Sequence, residues 1–394
     1  MPVLTLRRVR FVASVLIGAF VLAACSSGAR TGAEGGTAAP DAGNAEADET
    51  PGTAAEPSPL VDPDDIVSGG PPPDGIPPID DPKFLAPDDV SFLDPREPVL
   101  AVEVGGEAKA YPLRIMTWHE IVNDVIGGTP VTATYCPLCN TGIAFERPTI
   151  DGELLDFGTS GKLYHSNLVM YDRQTDSYWA QATGQAIVGP LTGEQLVFVP
   201  ARILAWQDWK EAHPDGLVLS TDTGHARDYG VNPYGGYDSS GFPFLFGGEP
   251  DRRLPPLSRV LGLSEAGETI AFPYEVLEEG AVKGWNVVAT EVGGREVAVF
   301  WKAGTVSALD AADIPSSRDV GAIAAYDAVV DGERLTFEAT EAGISDRETG
   351  SSWSITGLAV AGRFEGTQLE VLPAVDSFWF DWAAFHPDTE IYGA

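Results

Sequence analysis

Cysteine is scarce, with three residues in 394, at positions 25, 136 and 139. That is too few for a disulfide framework, so each one asks for a separate reason. Positive charge is scarce as well. Lys and Arg number 24 against 58 Asp and Glu, for a formal net charge of −34. Such an excess of acid argues against nucleic acid as a partner and against direct adhesion to anionic lipid headgroups; it suits a solvated surface in a salty environment. Long apolar runs are missing too. The run over 11–23 is about half of what a membrane span needs, so it is not read as a transmembrane helix. No Ser-His-Asp order, phosphate loop or His-Glu-x-x-His helix is present.

What stands at the start is an export signal. Arg7, Arg8 and Arg10 precede the apolar run, and small residues follow in Leu22-Ala23-Ala24-Cys25. A cysteine just after Leu-Ala-Ala matches the bacterial lipobox, so residues 1–24 read as a signal peptide and Cys25 as the lipidated residue. The expected partner is then the membrane, reached through the lipid on Cys25, and the location is the extracytoplasmic cell envelope. The Arg7-Arg8 pair leaves the general secretory and twin-arginine routes both open. Residues 25–82 are Gly, Ala, Pro, Asp and Glu with almost no aromatics, and read as a disordered acidic tether.

The rest contains an internal repeat. Val99-Leu100-Ala101-Val102 with Glu107 and Tyr111-Pro112 returns as Val260-Leu261-Gly262-Leu263 with Glu268 and Phe272-Pro273. Asp172-Arg173, Thr175, Ser177 and Trp179 return as Asp346-Arg347, Thr349, Ser351 and Trp353. Trp209 with His213-Pro214-Asp215 returns as Trp382 with His386-Pro387-Asp388. The expected organisation is a first β-rich repeat over 83–220, a connector over 221–256 and a second, degenerate repeat over 257–394. Segments 99–104, 132–135, 143–145 and 196–199 alternate or run apolar between Gly and Pro, as strands do. Segments 113–125 and 203–212 read as helices. The fold class is therefore mainly β (α+β): tandem barrel- or sandwich-like repeats, each with one or two short helices.

Two copies act as a control, because residues kept in both are scaffold and residues found in one are site candidates. Asp172 and Arg173 recur, so their string reads as a turn, with Asp accepting backbone N–H bonds and Trp packing inward. His213 recurs as a helix-closing residue. Cys136-Pro137-Leu138-Cys139 does not recur. With Tyr135 against Trp301, Lys302 stands opposite Cys136 and no cysteine follows. The setting is strand, tight loop, strand, with Asn140 and Gly142 suited to positive φ. Ile143 and Phe145 alternate and Pro148 follows, which leaves no room for the helix a thioredoxin-like site needs. Three readings of the pair are open: a metal knuckle, a redox dithiol, or an inert bridge over a loop too short to stabilise much. His165 and His119 have no counterpart in the second copy and are the candidate further ligands; Met170 reads as core. Two thiolates with imidazoles suit copper or zinc by softness. The connector is dense in polar and aromatic residues, and His225, Arg227 and Asp228 are its site candidates.

The runs Tyr135-Cys136-Pro137-Leu138-Cys139-Asn140-Thr141-Gly142, Ser166-Asn167-Leu168-Val169-Met170-Tyr171-Asp172-Arg173-Gln174-Thr175, Asp222-Thr223-Gly224, Arg227-Asp228-Tyr229-Gly230 and Asn232-Pro233-Tyr234 together resemble the bacterial and archaeal family catalogued as domain of unknown function 3179. The resemblance covers the chain from near Pro82 to the C-terminus, with its specific motifs in the first copy. It implies no established activity, so it points to the site and not to the reaction. The expectation is a lipoprotein whose Cys136/Cys139 centre binds a soft metal such as copper or zinc. A thiol–disulfide oxidoreductase using the same pair and a noncatalytic envelope scaffold are the alternatives.

Overall fold

A computed structural model describes residues 57–394. The signal sequence, the lipobox and Cys25 lie outside the described residues. Among the described residues, no helix is long and apolar enough to cross a membrane.

Among the described residues the fold is mainly β, made of several open sheets with four short helices and no closed barrel. The first set of elements is β1 (Pro98–Val104), β2 (Glu107–Pro112), α1 (Leu113–His119), β3 (Ile121–Ile126), β4 (Thr129–Cys136), β5 (Thr141–Glu146), β6 (Phe157–Tyr164), β7 (Asn167–Asp172), β8 (Tyr178–Ala180), β9 (Gln185–Val188), β10 (Ala201–Ala205), α2 (Trp206–Ala212) and β11 (Leu217–Leu219). The second is β12 (Arg259–Glu265), β13 (Glu268–Pro273), α3 (Tyr274–Glu279), β14 (Trp285–Val292), β15 (Arg295–Lys302), β16 (Ala322–Asp327), β17 (Phe337–Thr340), β18 (Gly343–Asp346), β19 (Ser352–Trp353), β20 (Ala359–Ala361), β21 (Val375–Phe378), α4 (Trp379–Phe385) and β22 (Glu390–Ile391).

The two sets carry the same sheet orders. Sheet β10-β1-β2-β11 matches β21-β12-β13-β22, β5-β4-β3 matches β16-β15-β14, and β6-β7-β8-β9 matches β17-β18-β19-β20. Register agrees as well: Val99 pairs with Pro112 and Val260 with Pro273. Most pairings are antiparallel hairpins, but β11 joins β2 and β22 joins β13 in parallel.

Three expectations need correction. The helix over 113–125 stops at His119, because Glu120 takes a left-handed φ of 59°. Ile121 and Val122, β-branched and buried, then pair with Thr134 and Ala133 as a strand. Likewise 203–205 belongs to β10, with Ile203 opposite Leu100, and helix begins only at Trp206. Nor does the tether run to Pro82: Ile66 pairs with Tyr164, and Ile79 is buried and bridged to Val122. Isolated apolar residues in a polar stretch give no periodicity, yet Ile79 is buried against the first set.

The cores cross between the sets. Cys136, Cys139, Tyr135 and Ile143 share one apolar cluster with Leu309, Phe378 and Phe380 of the second. Val99, Trp209 and Val218 share another with Phe300, Tyr326 and Trp353. The contact is reciprocal, with β21 against β5 and β10 against β16. Burying a side chain such as Phe378 contributes about 1.5–3 kcal/mol, so the second set helps hold the cysteine loop in place.

Candidate functional site

β4 ends on Cys136 and pairs there with Thr141, the first residue of β5. The turn between them closes when the Cys139 N–H donates to the Cys136 carbonyl at 3.2 Å. Asn140 adopts φ 56°, as its side chain permits. Gly142 does not need positive φ; a Cβ there would meet Leu100 at 2.8 Å and Ile203 at 3.3 Å, so glycine is required by close approach instead. The turn brings the two Sγ atoms to 3.2 Å. Both thiols are free and buried, at 2% and 0% exposure. A disulfide measures about 2.05 Å, so the sulfurs stand roughly one ångström from bonding distance.

Around the turn runs a polar network inside an apolar core. The Cys139 thiol donates to the Ser166 carbonyl at 3.3 Å. The Phe378 N–H donates to the Cys139 carbonyl at 2.7 Å, and the Tyr237 hydroxyl to the Leu138 carbonyl at 2.9 Å. Asp381, presented by α4, accepts from Asn167 Nδ2 and from Ser377 Oγ, both at 3.0 Å. Asn167 donates onward to Gln181 at 3.2 Å, and Gln181 Nε2 donates to Thr134 Oγ1 at 3.0 Å. Thr141 Oγ1 donates to Gln181 Oε1 at 2.8 Å. Every amide and hydroxyl in this set is satisfied by another, as burial demands.

Burial sets the electrostatics. It pushes the Cys139 thiol well above its ordinary value, helped by the Cys136 hydrogen bond and the Asp381 charge. It also raises Asp381 to about 7. Glu120, at the end of α1, is raised by burial to about 8, with only the Tyr234 hydroxyl at 3.5 Å opposing. A cavity of about 150 Å³ lies beside the turn, lined by Glu120, Leu138, Lys162, Leu168, Tyr234 and Phe244. A roomier one, about 390 Å³ between Phe198, Val375, Trp382 and His386, is lined by neither cysteine.

The second set lacks this chemistry position by position. Register places Phe300 opposite Thr134 and Ala322 opposite Thr141. Ile355 follows Trp353 as Gln181 follows Trp179. Thr134, Thr141, Gln181, Asn167, Ser377 and Asp381 are thus site residues that the sequence reading missed. For Gln181, Thr134 and Thr141 the signal was available, because each is polar in one copy and apolar in the other.

The other candidates go elsewhere. His119 is lowered to about 4, chiefly by burial. Its ring nitrogens are spent on the Pro77 carbonyl at 2.7 Å and the Tyr229 hydroxyl at 2.6 Å. His225 is exposed, its ring 5.3 Å from that of His119. The His165 ring packs among Tyr164, Phe246 and Phe385. Arg227 lies over Trp118, and exposed Asp228 accepts from the Gly230 N–H at 3.2 Å. Arg173 binds Asp74 and Asp80. Asp172 accepts from Thr175 N–H at 2.6 Å and Trp179 Nε1 at 2.9 Å; Asp346 accepts from Thr349 N–H at 2.6 Å and Trp353 Nε1 at 3.0 Å. Met170 is core. Among the described residues, no three His, Cys, Asp or Glu side chains stand together as a metal site. The donor set therefore does not fit a closed zinc or copper centre, which needs more than a pair of thiolates.

The family model described as a protein of unknown function, DUF3179, matches residues 73–389. The chain belongs to the DUF3179 family. That match takes in both sets of sheets, the turn with the cysteines and α4 with Asp381. No curated protein and no solved structure matches the chain. DUF3179 membership carries no activity with it, so the chemistry rests on the geometry.

Proposed function

We propose that Cys136 and Cys139 form a reversible dithiol–disulfide couple in an extracytoplasmic lipoprotein anchored through Cys25. The observation that carries this reading is the pair of free thiols 3.2 Å apart, set in a hydrogen-bond network that the second copy has replaced with apolar side chains. Of the readings open from sequence, metal capture lacks further ligands: the ring nitrogens of His119 are bonded elsewhere, and among the described residues no third His, Cys, Asp or Glu stands with the pair. An inert bridge over so short a turn would add little stability and would give no reason for the network. In an oxidising compartment a buried vicinal pair is poised to cycle. The reaction is exchange: two thiols of the chain become one disulfide, and an external R–S–S–R′ becomes RSH and R′SH. The cavity beside the turn reaches Leu138, between the two cysteines, and is lined by neither of them.

The test mixes fully reduced chain with glutathione disulfide. We expect two glutathione thiols released per chain, with the Cys136–Cys139 crosslink seen by peptide mass, and no crosslink in Cys136→Ser. One tightly held zinc or copper per chain, lost in Cys136→Ser, would replace this reading with the metal one. Neither thiol release nor metal would leave a noncatalytic scaffold.

A further inference from the structure

We infer that the cavity between Phe198, Val375, Trp382 and His386 is a binding site for a small neutral molecule with an apolar body and an N–H donor, such as an amide. It measures about 390 Å³, and its walls are mostly apolar with a few polar groups among them, as the walls of small-molecule sites are. Neither cysteine lines it, so it stands apart from the dithiol.

The fold builds this place twice and fills it with a side chain once. Register makes Val375 of β21, opposite Gly262, the counterpart of Arg202 of β10, opposite Ala101. Trp382 and His386 answer to Trp209 and His213. The opposing wall is repeated too. Gln195 Nε2 donates to the Thr183 carbonyl at 2.7 Å and to the Leu196 carbonyl at 3.2 Å. Gln368 Nε2 donates to the Thr356 carbonyl at 2.8 Å and to the Leu369 carbonyl at 3.2 Å. There Arg202 crosses from one copy to the other, is buried, and donates from Nη1 to the Thr356 carbonyl at 2.7 Å. The arginine is its own occupant. In the other crossing valine stops short, and the cavity lies beyond it. Among the described residues the Thr183 carbonyl accepts from Gln195 alone, so the lone pair that Arg202 uses on Thr356 is open on Thr183. That acceptor calls for an N–H donor.

The groups that differ between the two places decide the charge. The Tyr326 hydroxyl accepts from Arg202 Nη1 at 3.4 Å, and its counterpart by register is Phe145. Glu103 is likewise replaced by Ser264. Among the described residues no Asp, Glu, Lys or Arg lines the cavity. Burial lowers His386 from its ordinary value of 6.5, so the ring is uncharged at neutral pH. A buried charge without a partner is costly, so these walls favour a neutral donor over a cation or an anion. The His386 ring stands 4.0 Å from that of Trp382, an aromatic pair against which a flat ligand packs.

The experiment titrates the full chain with benzamide, benzamidine and benzoate, which share a ring and differ in charge, by ligand-observed NMR. Benzamide should saturate with a dissociation constant on the order of a millimolar, as suits so small a probe, and the two charged probes should bind more weakly. Val375→Arg, which installs the occupant that the other place already carries, should abolish benzamide binding. Ser264→Phe, at an exposed position on the cavity wall, should abolish it as well. Benzamide that does not saturate, or that binds Val375→Arg as it binds the wild type, would overturn the inference. Benzamidine or benzoate binding as tightly as benzamide would overturn the assignment of a neutral ligand. If Val375→Arg does not fold, Ser264→Phe decides: unchanged benzamide binding overturns the site.

Discussion

Glu120 sits where a helix ends and where glycine would cost least. Its φ of 59° is left-handed, its side chain is buried, and its one side-chain hydrogen-bond partner is at 3.5 Å. Such a combination has a pH signature. The folded carboxyl titrates at about 8 and the free one at 4.5. Between those values the folded chain keeps a proton that the unfolded chain has lost, so stability from this group is full below pH 4.5 and falls as pH rises through 8. The loss is on the order of 5 kcal/mol. Asp381 and Asp376, raised by burial to about 7 and about 6, lean the same way. Glu120→Gln should flatten the fall in denaturant midpoint between pH 5 and 8 without abolishing it. Equal slopes in the two proteins would show that Glu120 ionises freely. The cysteines were legible as a site because they occur in one copy only. Glu120 was hidden because it sat inside a segment that read as continuous helix, and left-handed backbone at a glutamate leaves no mark in composition.

Among elements, the Asp-Arg turns show how a suggestive string becomes scaffold. Asp172 and Asp346 each bind the Thr N–H and hydroxyl three residues on and the Trp indole seven residues on. Removing either carboxyl strands buried donors at about 1–3 kcal/mol each. Asp172→Ala and Asp346→Ala should therefore lower thermal stability by similar amounts, and neither should alter the yield of the Cys136–Cys139 crosslink. A loss confined to Asp172→Ala, or a changed crosslink yield, would return that turn to the list of functional residues. The connector is a different kind of element. Asp238 is clamped by Arg259 at 3.1 Å, Arg318 at 2.9 Å and Ser307 at 2.6 Å, while Tyr237 beside it holds Leu138. Its aromatics thus cover the cysteine turn. Its length and polarity marked it as unusual, but its contacts come from both copies and no local pattern encodes them.

For the whole molecule, what the sequence made legible was repetition, and what it hid was reciprocity. Marks such as Tyr111-Pro112 and Phe272-Pro273, or Trp209 and Trp382, lie at fixed intervals, and the two sets of sheets share their order. Which copy's residues meet at the site depends on β21 packing against β5, a contact between segments far apart in the chain. Phe378 could not be paired with Cys139 by spacing or periodicity. The second copy, without cysteines of its own, supplies the Phe378 N–H to the Cys139 carbonyl and Asp381 to Asn167. One copy thus holds the thiols, and the other helps hold the turn that carries them.

The central claim is that the two thiols are one reversible couple, and its most direct test is an equilibrium titration. The chain would be poised in glutathione buffers of graded potential, and Cys136 and Cys139 read by differential alkylation and peptide mass. The account predicts that both lose reactivity together in a single two-electron transition, with a midpoint in the range of about −120 to −270 mV typical of exchanging dithiols. Two cysteines that alkylate independently at every potential, or a bridge that stays closed below roughly −300 mV, would contradict it.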